Sequence, residues 1–273
     1  MPEDIKEGII RILGEYTRHS HIFLTKSGNK AILTALKISK EINPKKYVII
    51  PDQGGWLTYF QYPKKLKFEI KKLKTDYGVI DLNELEKSLE NASALLYENP
   101  AGYFAEQPLK EIYNVCKNNN CLVILDVSGC IGNELCNGNY ADIIIGSFGE
   151  WKPINLNYGG FISVNDKKFL IKDILKELEF DKERYNELYN KLKNVEKRYE
   201  LFTRINKKIK KDLNNFQVIH KDKKGINVIL KFDSEEEKNK IISYCEKNKY
   251  QFLICPRYIR VNEKAISIEV KRL

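Results

Sequence analysis

The stretch GSFGEWKPINLNYGG, residues 146–160, carries the sequence signal that decides the fold. Apolar residues 143–145 before it are typical of a buried strand, and residues 161–164 after it are typical of a second one. Between these strands lie Ser147, a single lysine at Lys152 and two closing glycines. A loop lysine is usually a solvated surface charge, so an amine held between two buried strands indicates a chemical role.

Short apolar segments alternate with helix-length amphipathic segments from about residue 22 to residue 164. This alternation is typical of βαβ units and a mainly parallel sheet. We therefore predict an α/β fold with a three-layer αβα large domain over residues 1–165. The predicted strands of this domain are 47–51, 66–70, 94–98, 121–127, 142–148 and 161–164, and its predicted helices are 29–40, 56–62, 82–89 and 109–118.

The pattern changes after residue 164, where a charged, helix-favouring stretch without proline runs over residues 167–213. We interpret this stretch as a connector to a smaller unit, so that residues 166–273 form a helical connector and a small α+β C-terminal domain. The predicted elements of the smaller unit are strands 225–232, 252–255 and 265–270 and a helix that begins at Ser234 with Glu237 three residues later.

The composition excludes several classes of protein. The chain has 47 Lys and Arg against 37 Asp and Glu, a formal charge of +10, but the two signs are mixed along its length, which argues against a nucleic-acid partner. The six cysteines contain no C-x-x-C pair, and the three histidines complete no zinc pattern, so we expect reduced thiols and no metal. No apolar run approaches the ~18 residues of a membrane span. We therefore expect a soluble, cytoplasmic protein.

The ends of the predicted strands identify the candidate site, because ligands of open parallel sheets bind beyond the carboxyl ends of the strands. A carboxylate ends one strand, a hydroxyl and an amine follow another, an aromatic follows a third, and a turn before the first long helix offers backbone amides to an anion. These residues are Asp126, Ser147, Lys152, Trp56 and the run Ser27-Gly28-Asn29.

Together these groups match the requirements of pyridoxal 5′-phosphate (PLP). A poorly hydrated lysine amine forms a Schiff base with the aldehyde of PLP, and a carboxylate beside the pyridine nitrogen keeps that nitrogen protonated. An aromatic side chain stacks on the ring, while a helix N-terminus and a serine hydroxyl take the phosphate. We thus predict Lys152 and Asp126 as catalytic residues.

Each candidate residue also has a purely structural interpretation. Lys152 would be an exposed loop lysine, Asp126 a helix cap and Trp56 a core aromatic, while S-G-N is an ordinary turn. Near the C-terminus, Arg257 and Arg260 would either grip a substrate carboxylate or lie on the surface.

The segment around Lys152 resembles fold-type-I PLP enzymes, and among them the DegT-like sugar aminotransferases. That family has its lysine in a Ser-Phe-x-x-x-Lys stretch closed seven residues later by Gly-Gly, and the spacing from Ser147 to Gly160 agrees. The resemblance implies the cofactor roles already assigned to Ser27, Gly28, Asn29, Trp56 and Asp126. It also implies that the pair Tyr185-Asn186 reaches the phosphate of a neighbouring subunit, hence a homodimer with shared active sites.

Two departures from the family pattern concern activity. The family usually has Gln or His where this chain has Gly129, and Glu before the glycine pair where this chain has Tyr158. We expect an aminotransferase that takes a small-molecule amino donor and a keto acceptor, by resemblance a keto-sugar. Two alternatives stay open: a PLP-dependent lyase, desulfurase or aldolase acting on a small amino acid, and a catalytically reduced paralogue that is not an enzyme.

Overall fold

A computed structural model describes residues 4–273 of the chain. The part up to residue 164 contains five helices and nine strands. The helices are α1 (Ile5–Thr17), α2 (Gly28–Ile42), α3 (Thr58–Lys65), α4 (Leu82–Ser88) and α5 (Leu109–Asn118). The strands are β1 (His21–Thr25), β2 (Tyr47–Pro51), β3 (Glu69–Leu73), β4 (Thr75–Asp76), β5 (Val79–Ile80), β6 (Ala92–Glu98), β7 (Leu122–Asp126), β8 (Ile143–Ser147) and β9 (Gly160–Val164).

Seven of these strands form one twisted sheet in the order β1-β9-β8-β7-β6-β2-β3. The pairs from β8 to β3 are parallel, whereas β9 runs antiparallel to both of its neighbours, β1 and β8. Parallel strands need crossover connections, which contain α-helices here except between β7 and β8, where the connection has only a short 3₁₀ turn. Consequently β6, β7 and β8 end at the same edge of the sheet.

The central strands are buried on both faces, which explains their continuous apolar runs. In β6, Leu95 packs into one core with α1, α4, α5 and a later helix, while Leu96 packs into a second core with α2 and α3 on the opposite face. Successive side chains of a strand point to opposite faces, so a sheet covered on both sides requires both sets to be apolar. The result is the predicted three-layer αβα arrangement.

The rest of the chain is helical at first and then forms a second sheet. Its helices are α6 (Lys172–Leu175), α7 (Tyr185–Lys193), α8 (Val195–Asp212) and α9 (Glu235–Lys247), and its strands are β10 (Gln217–Val218), β11 (Val228–Lys231), β12 (Phe252–Ile254) and β13 (Ala265–Ile268). The four strands form an antiparallel sheet in the order β10-β11-β13-β12. Ser234 caps α9 as predicted, with its Oγ accepting from the Glu237 amide at 3.1 Å.

The α/β fold class is thus confirmed, and several boundaries differ. Strand β3 begins at Glu69 because Lys67 adopts a left-handed conformation (φ 59°) that turns the chain before the strand. The predicted continuous connector breaks into separate helices, α6 to α8. The sequence patterns did not reveal α1, the edge strand β1, the β4–β5 hairpin or the short β10. The division into domains at residue 165 stays a prediction.

Two further observations bear on the excluded classes. No helix among residues 4–273 combines the length and the apolar character that crossing a membrane requires. Within the same residues, no cluster of three or more His, Cys, Asp or Glu side chains is placed to hold a metal ion. All six cysteines are buried free thiols, at positions 116, 121, 130, 136, 245 and 255.

Candidate active site

A cavity of about 390 Å³ opens at the carboxyl ends of β6, β7 and β8. These strands end at Glu98, Asp126 and Ser147, all of which line the cavity. Its other walls are the N-terminus of α2, the loop after β8, and residues of the C-terminal unit. All predicted site residues except Asn186 line it, namely Ser27, Gly28, Asn29, Trp56, Asp126, Ser147 and Lys152.

Lys152 lies in the loop after β8, half-buried, with its ammonium group among aromatic rings. Its Nζ donates a hydrogen bond to the hydroxyl of Tyr103, and it lies 4.7 Å from the centroid of that ring and 5.2 Å from the centroid of the Trp56 ring. Burial lowers the pKa of Lys152, and the nearby carboxyl groups of Glu98 and Asp126 oppose that shift. The site therefore favours a neutral, nucleophilic amine more than water does.

The glycine pair that closes the Lys152 loop is required by the close approach of three backbone segments. A Cβ on Gly160 would lie 2.4 Å from the carbonyl oxygen of Gly146 and 2.9 Å from the amide nitrogen of Gly28. Gly159 has φ +81°, and a Cβ there would meet the ring of Phe180 at 2.4 Å. The pair thus lets β9 pass between β8 and the start of α2.

Asp126 ends β7 with a nearly buried carboxylate, 5 % exposed. One oxygen accepts the Ser128 amide at 2.9 Å, and the other accepts the Tyr59 hydroxyl at 2.8 Å. These two donors fix the orientation of the carboxylate, as a partner for a pyridine nitrogen requires.

The N-terminus of α2 forms the anion-binding side of the cavity. Ser27 is its N-cap, with Oγ accepting from the Lys30 amide at 3.1 Å. A Cβ on Gly28 would lie 2.6 Å from the Cβ of Ser147, so only glycine lets the helix start approach β8 this closely. No acidic side chain occupies the first turn of α2. Backbone amides and the helix dipole at this end suit a phosphate group.

Trp56 lies at the mouth of the cavity, 37 % exposed, rather than in the core. Its Nε1 donates to the Asn29 side-chain oxygen at 2.9 Å. This bond links two predicted cofactor-binding residues and holds the indole beside Lys152. The residues present therefore fit PLP at its ring, its ring nitrogen, its aldehyde and its phosphate.

Glu98 and Tyr103, both buried in the cavity wall, escaped the sequence analysis. Glu98 is 3 % exposed and stands opposite Asp126 in the parallel register. Burial, followed by the charge of Asp126, raises the pKa of Glu98 to about 8. The position of Glu98 at the end of a predicted strand could have identified it as a site residue from the sequence. Tyr103, buried in the loop after β6 with φ 69°, has no such signal.

Tyr103 also explains the departure at Gly129. A Cβ on Gly129 would lie 2.7 Å from the Cδ1 atom of the Tyr103 ring. A larger residue at position 129 would displace the ring of Tyr103, whose hydroxyl accepts the hydrogen bond from Lys152. In this chain Tyr103 thus fills the space that a side chain at 129 would need.

The C-terminal unit contributes a cationic wall, defined as Arg260, Lys271 and Arg272, to the same cavity. Arg260 does not offer a free fork as one sequence interpretation had it, because its Nε and Nη2 bind the Glu269 carboxylate at 2.8 and 2.7 Å. Arg257 is exposed and donates to the Ile254 carbonyl. Lys271 and Arg272 were missed because residues 270–272 form a short 3₁₀ turn beyond the last strand.

Asn186 and Tyr158 lie away from the cavity. Asn186 is exposed in the first turn of α7, and its predicted contact with a neighbouring subunit stays a prediction, as does the homodimer. Tyr158 packs edge-on against Phe180 at 5.2 Å, and its hydroxyl accepts from the Asp181 amide at 3.2 Å. Tyr158 therefore supports the loop that follows Lys152.

The mainly parallel seven-stranded sheet, with a lysine and a carboxylate at its carboxyl edge and a helix N-terminus at the same cavity, is typical of the fold-type-I class of PLP-dependent enzymes. Residues 10–181 match the DegT/DnrJ/EryC1/StrS aminotransferase family, and the chain belongs to that family. Residues 196–273 match a second description, the MJ1341 family C-terminal domain. A search of curated proteins finds no match.

Solved structures agree on the fold. A high-resolution structure of SPT with a PLP internal aldimine has a TM-score of 0.73 and 14% identity, and the match covers 97% of this chain and 71% of that chain. Serine palmitoyltransferase from Sphingomonas wittichii gives 0.74 at 14% identity, covering 96% and 70%. 3-Amino-5-hydroxybenzoic acid synthase gives 0.77 at 12% identity, covering 98% and 85%. At these identities the likeness concerns the fold alone.

Proposed function

We propose that the protein is a PLP-dependent aminotransferase in which the Lys152 amine holds the cofactor. The observation that supports this most is that Lys152, Asp126 and the start of α2 line one cavity. An amine, a fixed carboxylate and an anion site are the three groups that PLP chemistry needs together. The keto-sugar acceptor and the cytoplasmic location stay predictions.

In the proposed reaction, the residues that line the cavity have separate roles. When bound, PLP supplies an electron sink for negative charge at the substrate's α-carbon. Lys152, held in a poorly hydrated pocket, moves the proton at that carbon as general base and acid. Asp126 holds the ring nitrogen protonated, and Trp56 covers the ring. The α2 amides and Ser147 hold the phosphate.

A borohydride experiment tests the assignment of Lys152. We expect PLP fixed by borohydride to be found on the peptide that contains Lys152, and Lys152→Ala to abolish both the label and the visible absorbance. Lys210→Ala is the matched control, because burial also lowers the pKa of Lys210, to about 8, but that residue lies outside the cavity. Label on Lys271, the second amine of the cavity, would contradict the assignment.

A half-reaction with glutamate separates aminotransfer from the other reactions of this class. Conversion of bound cofactor to its pyridoxamine form, with release of 2-oxoglutarate, supports the proposal. Release of a substrate fragment without that conversion supports the lyase alternative. A protein that takes up no PLP would support the non-enzymatic alternative.

A further inference from the structure

The amine of Lys152 is the first group of a hydrogen-bonded chain that ends at a buried carboxyl group. Its Nζ donates to the hydroxyl of Tyr103, and a further hydrogen bond joins that hydroxyl to the carboxyl group of Glu98. All three side chains line the cavity. A phenol can accept one hydrogen bond while it donates another, so Tyr103 connects the amine to Glu98.

Tyr103 is held in a costly backbone conformation. Its φ of 69° lies in the left-handed region, where a bulky side chain is strained. The Tyr103 carbonyl oxygen accepts the amides of Ile226 and Asn227 at 2.8 and 2.9 Å, and the Tyr103 amide donates to the Pro100 carbonyl at 3.0 Å. These bonds fix the ring at a position that local preference disfavours. Strain that neighbouring segments maintain in this way is typical of functional positions.

The hydroxyl of Tyr103 does not release its proton by itself. Burial, followed by the charge of Glu98, raises the pKa of this hydroxyl well above its usual range. The guanidinium carbon of Arg260 lies 5.0 Å from the centroid of the ring, and its charge opposes the shift without reversing it. A free phenolate is therefore disfavoured. The hydroxyl can pass on a proton only if it takes up another in the same step.

Glu98 and Lys152 are closer in proton affinity here than the same groups are in water. In water, the pKa values of a glutamic acid and a lysine differ by about 6 units. Burial is the largest effect on both groups, and it raises the pKa of Glu98 to about 8 and lowers the pKa of Lys152. Proton transfer is easiest between groups of similar proton affinity. A proton can thus move between the two ends of the chain.

We infer that Tyr103 is a further catalytic residue, which relays a proton between Lys152 and Glu98. In one direction the Nζ–H bond of Lys152 breaks as the Tyr103 oxygen takes that proton, and the phenol proton passes to a carboxylate oxygen of Glu98. The ammonium and the carboxylate become a neutral amine and a carboxylic acid, and the reverse step restores them. Glu98 acts through Tyr103, so it is a positioning residue that stores the proton.

The relay serves the two roles proposed for Lys152. As a general base, the amine has to be neutral, and Glu98 then holds the proton. As a general acid, the amine needs a proton, which Glu98 returns through Tyr103. The inference rests on the proposed function for the reaction that uses these protons. The sharing of a proton between Lys152 and Glu98 is instead a property of the chain without cofactor.

Other groups near Glu98 affect its titration. The charged groups that face it are Asp126, Lys152 and Arg260, and the neutral titratable groups are Tyr59, Tyr103, Cys130 and Tyr258. After burial, the charge of Asp126 raises the pKa of Glu98, whereas the charges of Lys152 and Arg260 lower it. The variants that test the relay therefore leave Asp126 and Arg260 in place.

The number of protons that move together tests the relay. The PLP-loaded full chain is mixed with glutamate in light water, heavy water and mixtures of the two, and the rate of conversion to the pyridoxamine form is followed. A step that moves one exchangeable proton gives a rate that falls linearly with the deuterium fraction, whereas two protons that move together give a curve. We expect a curve for the wild type. Tyr103→Phe and Glu98→Gln should each give a straight line and a rate about 100-fold lower.

Two control variants separate the relay from a structural effect. Tyr97→Phe and Glu90→Gln should both retain the curve, since buried Tyr97 and exposed Glu90 do not line the cavity. A variant that is merely less well folded lowers the rate but leaves the curvature, because the same protons still move in each active molecule.

Labelling of the cofactor-free full chain tests the proton sharing without the reaction. Trace acetic anhydride acetylates neutral amines, and mass spectrometry of the Lys152 peptide gives the labelling rate at each pH. In the wild type this rate should rise over a broader pH range than a single ionisation gives, because two groups share one proton. Glu98→Gln should give the curve of a single group, and Glu90→Gln should follow the wild type.

Three results would overturn the inference: a straight line for the wild type, a curve that survives in Tyr103→Phe or Glu98→Gln, or identical labelling profiles of the wild type and Glu98→Gln. A chain that takes up no PLP, or whose cofactor glutamate does not convert, contradicts the proposed function instead. In that case the labelling profiles alone decide whether Glu98 shares its proton with Lys152.

Discussion

Glu98 and Asp126 end neighbouring parallel strands, which brings two carboxyl groups to one buried edge. Two like charges in a poorly hydrated site cannot both ionise freely. Burial, followed by the charge of Asp126, raises the pKa of Glu98 to about 8, so Glu98 retains a proton at neutral pH. Tyr103 then lies between the protonated Glu98 and the amine of Lys152.

The stability of the protein should therefore depend on pH through Glu98. The raised pKa means that the folded chain binds this proton more tightly than the unfolded chain, so stability falls as pH rises from about 4.5 to about 8. Glu98→Gln should abolish this loss and be more stable than wild type at pH 8.5, by on the order of a few kcal/mol. At pH 4.5 the two should differ little.

Urea unfolding at the two pH values measures the effect. Exposed Glu90 supplies the control variant Glu90→Gln, which should follow the wild type at both. An equal response of the two variants would contradict the role of Glu98.

The hydrogen bond between Lys152 and Tyr103 is tested by Tyr103→Phe, with Tyr97→Phe as its control. Tyr97 is buried in β6, and its hydroxyl has no partner among the described residues. Only Tyr103→Phe should shift the pH at which PLP absorbance changes.

At the scale of elements, the meeting point of β8, β9 and α2 has no room for side chains. Gly28 and Gly160 allow the backbones to approach, Gly146 leaves room for the ring of Phe161, and each of the three would clash as alanine. This approach places the amides of α2 beside Ser147. The anion site and the Lys152 loop are thus consequences of one packing contact.

Gly160→Ala should destabilise the protein and weaken PLP binding together. A Cβ 2.4 Å from a carbonyl oxygen forces a backbone shift, and overpacking of this kind costs about 1–3 kcal/mol. Gly14→Ala in α1 is the control, since contacts there begin at 3.5 Å and alanine in a helix gains about 0.5–1 kcal/mol. Thermal unfolding and PLP titration measure both effects. A Gly160→Ala variant that is destabilised but binds PLP as tightly as the wild type would contradict the link between this packing contact and the anion site.

Sequence patterns predicted the elements that have a regular pattern of buried apolar residues. They did not predict the elements and residues whose positions depend on contacts between distant parts of the chain. The strand Tyr47–Pro51 and the helix Leu109–Asn118 have the predicted bounds because apolar periodicity alone determines them. The rule that ligands bind beyond the carboxyl ends of parallel strands likewise predicted Asp126, Ser147 and Lys152 as site residues. It could not predict Lys271 or Arg272, since they reach the cavity through folding of the C-terminal unit rather than through the order of the sheet.

At the scale of the whole molecule, the Arg260–Glu269 pair joins two segments within the C-terminal unit, and Arg260 lines the cavity. Both side chains are buried, and the two parallel hydrogen bonds match the planar fork of arginine. Arg260 lowers the pKa of Glu269 to about 2, against the opposing effect of burial. The pair thus holds the last strand and the cationic wall in one orientation.

Arg260→Met should be destabilised by about 3–5 kcal/mol, because it leaves a buried carboxylate with weaker partners. Adding Glu269→Gln to that variant should recover part of the loss. Chemical denaturation of the two variants measures the difference. Arg257→Met, an exposed arginine three residues earlier, should stay close to the wild type. A double variant less stable than Arg260→Met would contradict the interpretation that the charges of Arg260 and Glu269 balance each other.

The six buried thiols divide between the two parts of the chain, with four between residues 116 and 136 and two at Cys245 and Cys255. A thiol sealed inside a fold reacts with an alkylating reagent only when its surroundings open. The alkylation rate at each cysteine therefore measures how often the structure around that cysteine opens. If the C-terminal unit can detach while the large sheet stays intact, Cys245 and Cys255 will be modified first.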